Sequence, residues 1–88
     1  MLVISLTKRS AERHPAKKHA SLITNLRHLQ RFPCLIVDIS RGGFRVRGSF
    51  RLKEGQHVEV VPDEDPLSVS QCSVVWVGDG EVGLETIN

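Results

Sequence analysis

Short runs rich in Val and Ile, separated by turns that contain Gly or Pro, constrain the fold of this chain more than any other feature. The runs follow one another about every eight to twelve residues, a spacing typical of small antiparallel β-proteins. In several of them apolar and polar side chains alternate, as they do when one face of a strand is buried. The pattern predicts an all-β domain of five or six strands, either a barrel or a sandwich.

The predicted strands lie at residues 20–26, 33–39, 43–48, 57–61, 67–77 and 81–87. A short helix through Leu22, Leu26 and Leu29 is an alternative for the first of them, because the leucines would then share a helical face. Residues 62–66 are predicted to form an acidic turn, since a proline at each end donates no hydrogen bond to a sheet. Residues 78–80 carry two glycines and predict a tight hairpin turn.

Cysteine and tryptophan positions predict part of the core. Cys72, Val74 and Trp76 alternate along the fifth predicted strand, so we expect them to share its inward face. Trp76 is therefore interpreted as a core or barrel-rim residue rather than as a platform for stacking a ligand. Cys34 also falls in a strand-like run, where a free cysteine behaves as a small buried hydrophobe. Two such cysteines form no disulfide framework, which favours a reducing, cytoplasmic setting.

The length of 88 residues allows one domain with a modest core and no deep catalytic cleft. The chain contains no phosphate-binding loop, dinucleotide fingerprint or nucleophile elbow. We therefore expect no catalytic activity, no cofactor and no metal site. The apolar start of the chain is far shorter than the roughly 20 residues that a spanning helix needs. We expect no membrane insertion, and interpret residues 1–8 as a lead-in segment or an extra strand.

Charge is distributed very unevenly along the chain. Residues 1–53 contain all twelve Lys and Arg but only two acidic residues, a formal charge of +10, whereas residues 54–88 carry eight acidic residues. This asymmetry favours an anionic partner for the first half. The alternative is that the two halves neutralise each other within one small domain. Residues 9–19, here called the basic arm, are polar and interrupted by Pro15, and are predicted to be flexible or extended.

The segment Asp38-Ile39-Ser40-Arg41-Gly42-Gly43 separates two predicted strands. Asp and Ser side chains bond nearby backbone N–H groups, and Gly adopts positive φ readily, so a sharp turn is predicted. A turn does not require an Arg or so many polar groups. The segment is therefore either a plain hairpin turn or a ligand-facing loop.

Together, the basic arm and this turn resemble the PilZ domain, a bacterial module that binds the second messenger cyclic di-GMP. That family carries R-x-x-x-R on an N-terminal arm and (D/N)-x-S-x-x-G at the start of a β-barrel. Residues 38–43 fit the second motif completely, and residues 74–85 are similar to the family's last hairpin. The resemblance covers residues 9–88 and implies a small antiparallel six-stranded β-barrel with a flexible basic N-terminal arm.

The arginine motif can be placed in two registers. Arg9 and Arg13 match R-x-x-x-R literally, whereas the sequence around Arg13 and Lys17 is closer to the usual family context. In the second register an ammonium replaces a guanidinium, which removes the planar bidentate fork. The resemblance implies the following cyclic di-GMP-binding residues: Arg9, Arg13, Lys17, Asp38, Ser40, Arg41, Gly42 and Gly43.

The implied function is that of a non-catalytic, bacterial, cytoplasmic receptor that binds cyclic di-GMP and relays it to an unidentified protein partner. Asp38 would accept hydrogen bonds from a guanine, while an arginine would donate to its O6 and N7 edge. One alternative is a degenerate PilZ-type interaction module that binds no nucleotide. A small basic nucleic-acid-binding barrel is less favoured, because the chain lacks the interleaved aromatic residues of single-strand binders.

Overall fold

A computed structural model describes residues 14–25 and 27–87, which form six β-strands. The strands are β1 (His14–Asn25), β2 (Leu29–Ser40), β3 (Gly43–Arg47), β4 (His57–Pro62), β5 (Ser70–Val77) and β6 (Glu81–Thr86). Each pairs antiparallel with its neighbours. They close into a barrel in the order β1–β2–β3–β6–β5–β4, with β4 beside β1. The predicted six-stranded antiparallel β-barrel is confirmed.

The barrel interior is filled by aliphatic side chains that alternate along the strands, as period-two burial requires. Burying one such side chain fully stabilises the fold by about 1.5–3 kcal/mol. Both cysteines are buried and free, as predicted. Desolvation raises the pKa of the Cys34 thiol and of the Cys72 thiol to about 11, so both are uncharged at neutral pH. The largest fully buried side chains are Leu22, Ile36, Val46, Val58, Val60, Cys72 and Val74.

The first strand is longer than the sequence indicated. It begins at His14 instead of residue 20, so residues 14–19 of the basic arm are extended, one of the two predicted alternatives, and belong to the barrel. The helix considered for the leucines near Leu22 is wrong, because β1 is a strand and Leu22 is completely buried in the core. Pro15 is tolerated since it lies near the end of the strand, where a missing hydrogen-bond donor costs little.

Two further boundaries differ from the predictions. β2 begins at Leu29 rather than residue 33, so β1 and β2 form a long hairpin in which Asn25 pairs with Leu29. β5 begins at Ser70 rather than residue 67, and Leu67 is 93% exposed in the preceding loop. In both places pairing with the neighbouring strand decides where the strand begins, Leu29 with Asn25 and Ser70 with Val60.

The strands are regular except at three register shifts in the described residues. These shifts fall between Pro15 and Lys18, between Ile36 and Asp38, and between Val74 and Trp76. Such bulges bend a strand and redirect its side chains. All three adjoin one cross-strand row that runs over five strands, in the order Pro15, Asp38, Arg45, Gly83, Trp76.

The basic region that precedes β1, with Arg9 and Arg13, and the predicted lead-in at residues 1–8 lie outside the described residues. Within residues 14–25 and 27–87 there is no helix of the length and hydropathy needed to cross a membrane.

Candidate functional site

Four residues of the cross-strand row, Asp38, Arg45, Gly83 and Trp76, line a cavity next to the turn between β2 and β3. This cavity, here called the turn cavity, has a volume of about 320 Å³. It is open to solvent and collects residues from four strands of the barrel. Its lining includes Asp38, Ser40, Gly42, Gly43, Arg45, Trp76, Gly83 and Glu85.

The turn itself consists of Arg41 and Gly42, because Ser40 and Gly43 are paired across it. The Ser40 hydroxyl lies 3.4 Å from the Gly43 carbonyl oxygen, to which it donates a long hydrogen bond. The carbonyl of Gly42 accepts from the backbone N–H of Thr86 at 2.8 Å, which ties the turn to β6. The predicted sharp turn is confirmed.

Gly43 is required here for close packing. A Cβ at this position would overlap the carbonyl oxygen of Leu84 on the neighbouring strand. A Cβ at Gly42 would meet nothing within 4 Å. The sequence argument that glycine serves positive φ in this turn is wrong, since the positive-φ glycines of the described chain are Gly55 and Gly80. The glycine of the motif therefore keeps β3 and β6 close together.

Arg45 lies next to the turn and is held by carboxylates on two sides. Its Nη2 is 3.6 Å from Asp38 Oδ2, and its Nη1 is 3.8 Å from Glu81 Oε1. Both distances exceed those of good hydrogen bonds. The Arg45 Nε is buried and has no hydrogen-bond partner among the described residues. Glu81 is more tightly engaged with Arg47, whose Nε and Nη2 both donate to Oε2, at 3.0 and 2.7 Å.

Trp76 lies on the outside of the barrel, which corrects the prediction that it shares the inward face of Cys72 and Val74. The register shift at Val75 adds a residue to β5 and turns the indole outward. There the ring covers Gly83, where a Cβ would overlap the indole Nε1. Trp76 is 37% exposed and lines the turn cavity.

The residues predicted from sequence divide into two groups. Asp38, Ser40, Gly42 and Gly43 line the turn cavity. The described members outside that lining are two exposed cations, Arg41 at the turn and Lys17 on β1.

Lys17 and Ala16 occupy the irregular part of β1, opposite the position of Val37 on β2. The register nevertheless brings the start of β1 directly to the motif, because His14 pairs with Ile39 and Pro15 with Asp38. The chain that carries the arginine motif therefore joins the barrel beside Asp38.

The other lining residues of the cavity were absent from the predicted site: Phe44, Arg45, Val75, Trp76, Gly83, Leu84 and Glu85. Alternation along β3 indicates that Arg45 faces outward, but not that Asp38 is its neighbour. The position of Trp76 depends on a bulge at Val75, and no residue type in this part of the sequence indicates that bulge. The described residues contain no group of three His, Cys, Asp or Glu side chains able to hold a metal ion.

A closed six-stranded antiparallel barrel with an open cavity at one strand–turn–strand corner defines a small β-barrel module. Comparison with family models identifies which one: the PilZ domain model matches residues 7–88, nearly the whole chain. The chain belongs to the PilZ domain family. Domains of this family are generally non-catalytic receptors or adaptors for cyclic di-GMP. No curated protein matches the chain.

Proposed function

We propose that this protein is a non-catalytic receptor that binds cyclic di-GMP in the turn cavity and passes the signal to a protein partner in the bacterial cytoplasm. The observation that carries the proposal is the joining of the motif residues Asp38 and Ser40 with an exposed indole, that of Trp76, in one cavity. Family membership supports the choice of ligand.

The lining residues match the chemistry of a guanine nucleotide. The Asp38 carboxylate accepts hydrogen bonds from guanine N1–H and N2–H₂, and the Ser40 hydroxyl donates to a ligand oxygen. The exposed face of Trp76 offers a stacking surface, and such stacking contributes about 1–3 kcal/mol per base in single-strand nucleic-acid binders. Open space above Gly42 admits the ligand close to the backbone.

The cavity by itself does not neutralise the ligand. Its charged lining consists of Asp38, Glu85 and Arg45, two carboxylates and one cation. Cyclic di-GMP adds two phosphate charges, so further cations must come from elsewhere. The basic arm, with Arg9, Arg13 and Lys17, supplies them in our proposal. The pairing of Pro15 with Asp38 supports this, because it brings the basic arm beside a residue that lines the cavity.

Binding in this way also provides a signal. In our proposal the part of the basic arm that precedes β1, with Arg9 and Arg13, folds over the ligand and changes the surface that the domain presents to its partner. A ligand that bound the barrel alone would leave that surface unaltered. In this proposal the basic arm is therefore the part of the site that transmits the signal.

Isothermal titration calorimetry with cyclic di-GMP tests the proposal. We expect saturable binding by the wild type and clear weakening in Asp38→Asn and Ser40→Ala. Ser49→Ala is the matched control, because Ser49 is exposed in the loop after β3 and lies outside the turn cavity. Absence of binding at about 100 μM ligand, a concentration that detects even weak complexes, would exclude the proposed function.

Lys17 favours a second candidate, a PilZ-type interaction module that binds no nucleotide. It is an exposed ammonium at a position where one register of the arginine motif requires a guanidinium. This candidate predicts no binding by the wild type and a gain of binding in Lys17→Arg.

A further inference from the structure

Asp38 and Arg45 place opposite charges side by side on the wall of the turn cavity. They are paired residues of β2 and β3, and their side chains approach to 3.6 Å between Oδ2 and Nη2. The Arg45 side chain is 39% exposed, while that of Asp38 is 13% exposed. The Asp38 carboxylate thus offers acceptors and the Arg45 guanidinium offers donors, side by side in the lining of the cavity.

Arg45 keeps hydrogen-bonding capacity in this arrangement. Its two carboxylate contacts, to Asp38 at 3.6 Å and to Glu81 at 3.8 Å, are longer than hydrogen bonds, so its Nη groups keep donors for a ligand. Glu81 cannot saturate it, because the other oxygen of that carboxylate accepts two hydrogen bonds from Arg47. A guanidinium presents five donors in a rigid fork, so Arg45 is suited to a planar acceptor edge.

We propose that Asp38 and Arg45 together recognise one guanine of the ligand and reject adenine; this inference rests on the proposed function. Guanine presents the donors N1–H and N2–H₂ next to the acceptors O6 and N7. The carboxylate of Asp38 accepts from the first two, and the guanidinium of Arg45 donates to the acceptor side. Arg45 is thereby a specificity-determining residue outside both sequence motifs.

Adenine reverses this pattern at the same positions. Its N6 amino group brings donors toward the donors of Arg45, and its N1 lone pair faces the carboxylate of Asp38. Both protein groups would lose their partners inside the site. Sites built on such polar contacts reject analogues more strongly than apolar pockets do, because unpaired polar groups are costly. Cyclic di-AMP is therefore the informative competitor.

Arg47 provides a matched control on the same strand. It lies two residues beyond Arg45 and also pairs with Glu81, but it is 60% exposed and outside the turn cavity. Replacing either arginine removes one positive charge and one Glu81 contact. Only replacement of Arg45 removes donors from the cavity.

The experiment measures the affinities of cyclic di-GMP and cyclic di-AMP by calorimetry for wild type, Arg45→Ala, Arg45→Lys and Arg47→Ala. We expect Arg45→Ala to weaken cyclic di-GMP binding about ten-fold or more, on the scale of one bidentate guanine contact, and to reduce the preference for guanine. Arg45→Lys keeps the charge but loses the fork, and its preference should also fall. Arg47→Ala should keep both affinities within about two-fold, as expected for an exposed ion pair.

Three outcomes of this experiment would contradict the inference. An equal loss of affinity for both nucleotides, with the preference unchanged, would show that Arg45 acts only through its charge and would overturn the inference. Unchanged binding in Arg45→Ala would do the same. No binding of cyclic di-GMP by the wild type would overturn the proposed function itself, and the inference with it. Far-ultraviolet circular dichroism of each variant ensures that folded proteins are compared.

Discussion

Asp38 and Arg45, which pair across β2 and β3, bring a carboxylate and a guanidinium within 3.6 Å of each other on the wall of the turn cavity. The row that contains them continues through Gly83 to Trp76. Four strands thus contribute one residue each to a continuous polar and aromatic surface. The site belongs as much to the last two strands as to the turn that carries the motif.

Replacement of Gly43 by Ala tests the packing role of the motif glycine. The added methyl group would overlap the Leu84 carbonyl oxygen, so β3 and β6 must separate. Overpacking of this kind typically costs about 1–3 kcal/mol. Urea denaturation should show this loss for Gly43→Ala, whereas Gly42→Ala, with open space around it, should stay within about 0.5 kcal/mol of wild type. Equal stability of the two variants would contradict this interpretation.

Trp76 should report ligand binding through its fluorescence. It is the only Trp in the chain and is partly exposed in the turn cavity, so a stacked base changes its emission. We expect saturable quenching with cyclic di-GMP and weakening by about 1–3 kcal/mol in Trp76→Ala. Val77→Ala serves as the control, because Val77 is also exposed on β5 but lies outside the cavity. Emission that stays constant through saturation would place the ligand elsewhere.

The two registers of the arginine motif make opposite predictions for Arg9 and Lys17. If Arg13 and Lys17 form the motif, Lys17→Arg tightens cyclic di-GMP binding by restoring the fork, and Arg9→Ala has little effect. If Arg9 and Arg13 form it, Arg9→Ala weakens binding and Lys17→Arg is neutral. We expect the first result from calorimetry. Lys18→Arg is the control, because Lys18 neighbours Lys17 but contacts Glu64 at 3.8 Å.

The buried thiols predict a loss of stability at alkaline pH. Desolvation raises the pKa of Cys34 and of Cys72 from 9.0 to about 11 in the folded chain, so folding favours the protonated forms. This contribution is complete below pH 9 and is lost as the pH rises toward 11, because the unfolded thiols ionise first. Thermal unfolding across this range should show the loss. A Cys34→Ala, Cys72→Ala double variant should lose less stability over the same interval, and an identical decline would refute the assignment to the thiols.

The sequence predicted an all-β domain and the turn at residues 38–43 because their causes are local, whereas the six-stranded barrel followed from the family resemblance. Alternating apolar residues identify β4 and β6, and the polar residues with glycines at 38–43 mark a turn, whatever the rest of the chain does. The extent of β1 was not predictable in this way. Residues 14–19 look polar in isolation, yet they extend β1 by pairing with β2, and the His19 carbonyl accepts a hydrogen bond from the Asp63 N–H just after β4.

By itself, then, the sequence determined an all-β domain of five or six strands and a motif turn that carries Asp38 and Ser40. Tertiary structure alone decided which residues from other strands line the cavity beside that turn. The extra residue at Val75 reverses the face of Trp76, and the closing of β3 against β6 brings Gly83 and the indole to Arg45. The physical reason is that a one-residue change of register moves a side chain to the other face of a strand. The bulge that does this lies in the β5–β6 hairpin, and β6 in turn pairs with β3, which is far away in the chain.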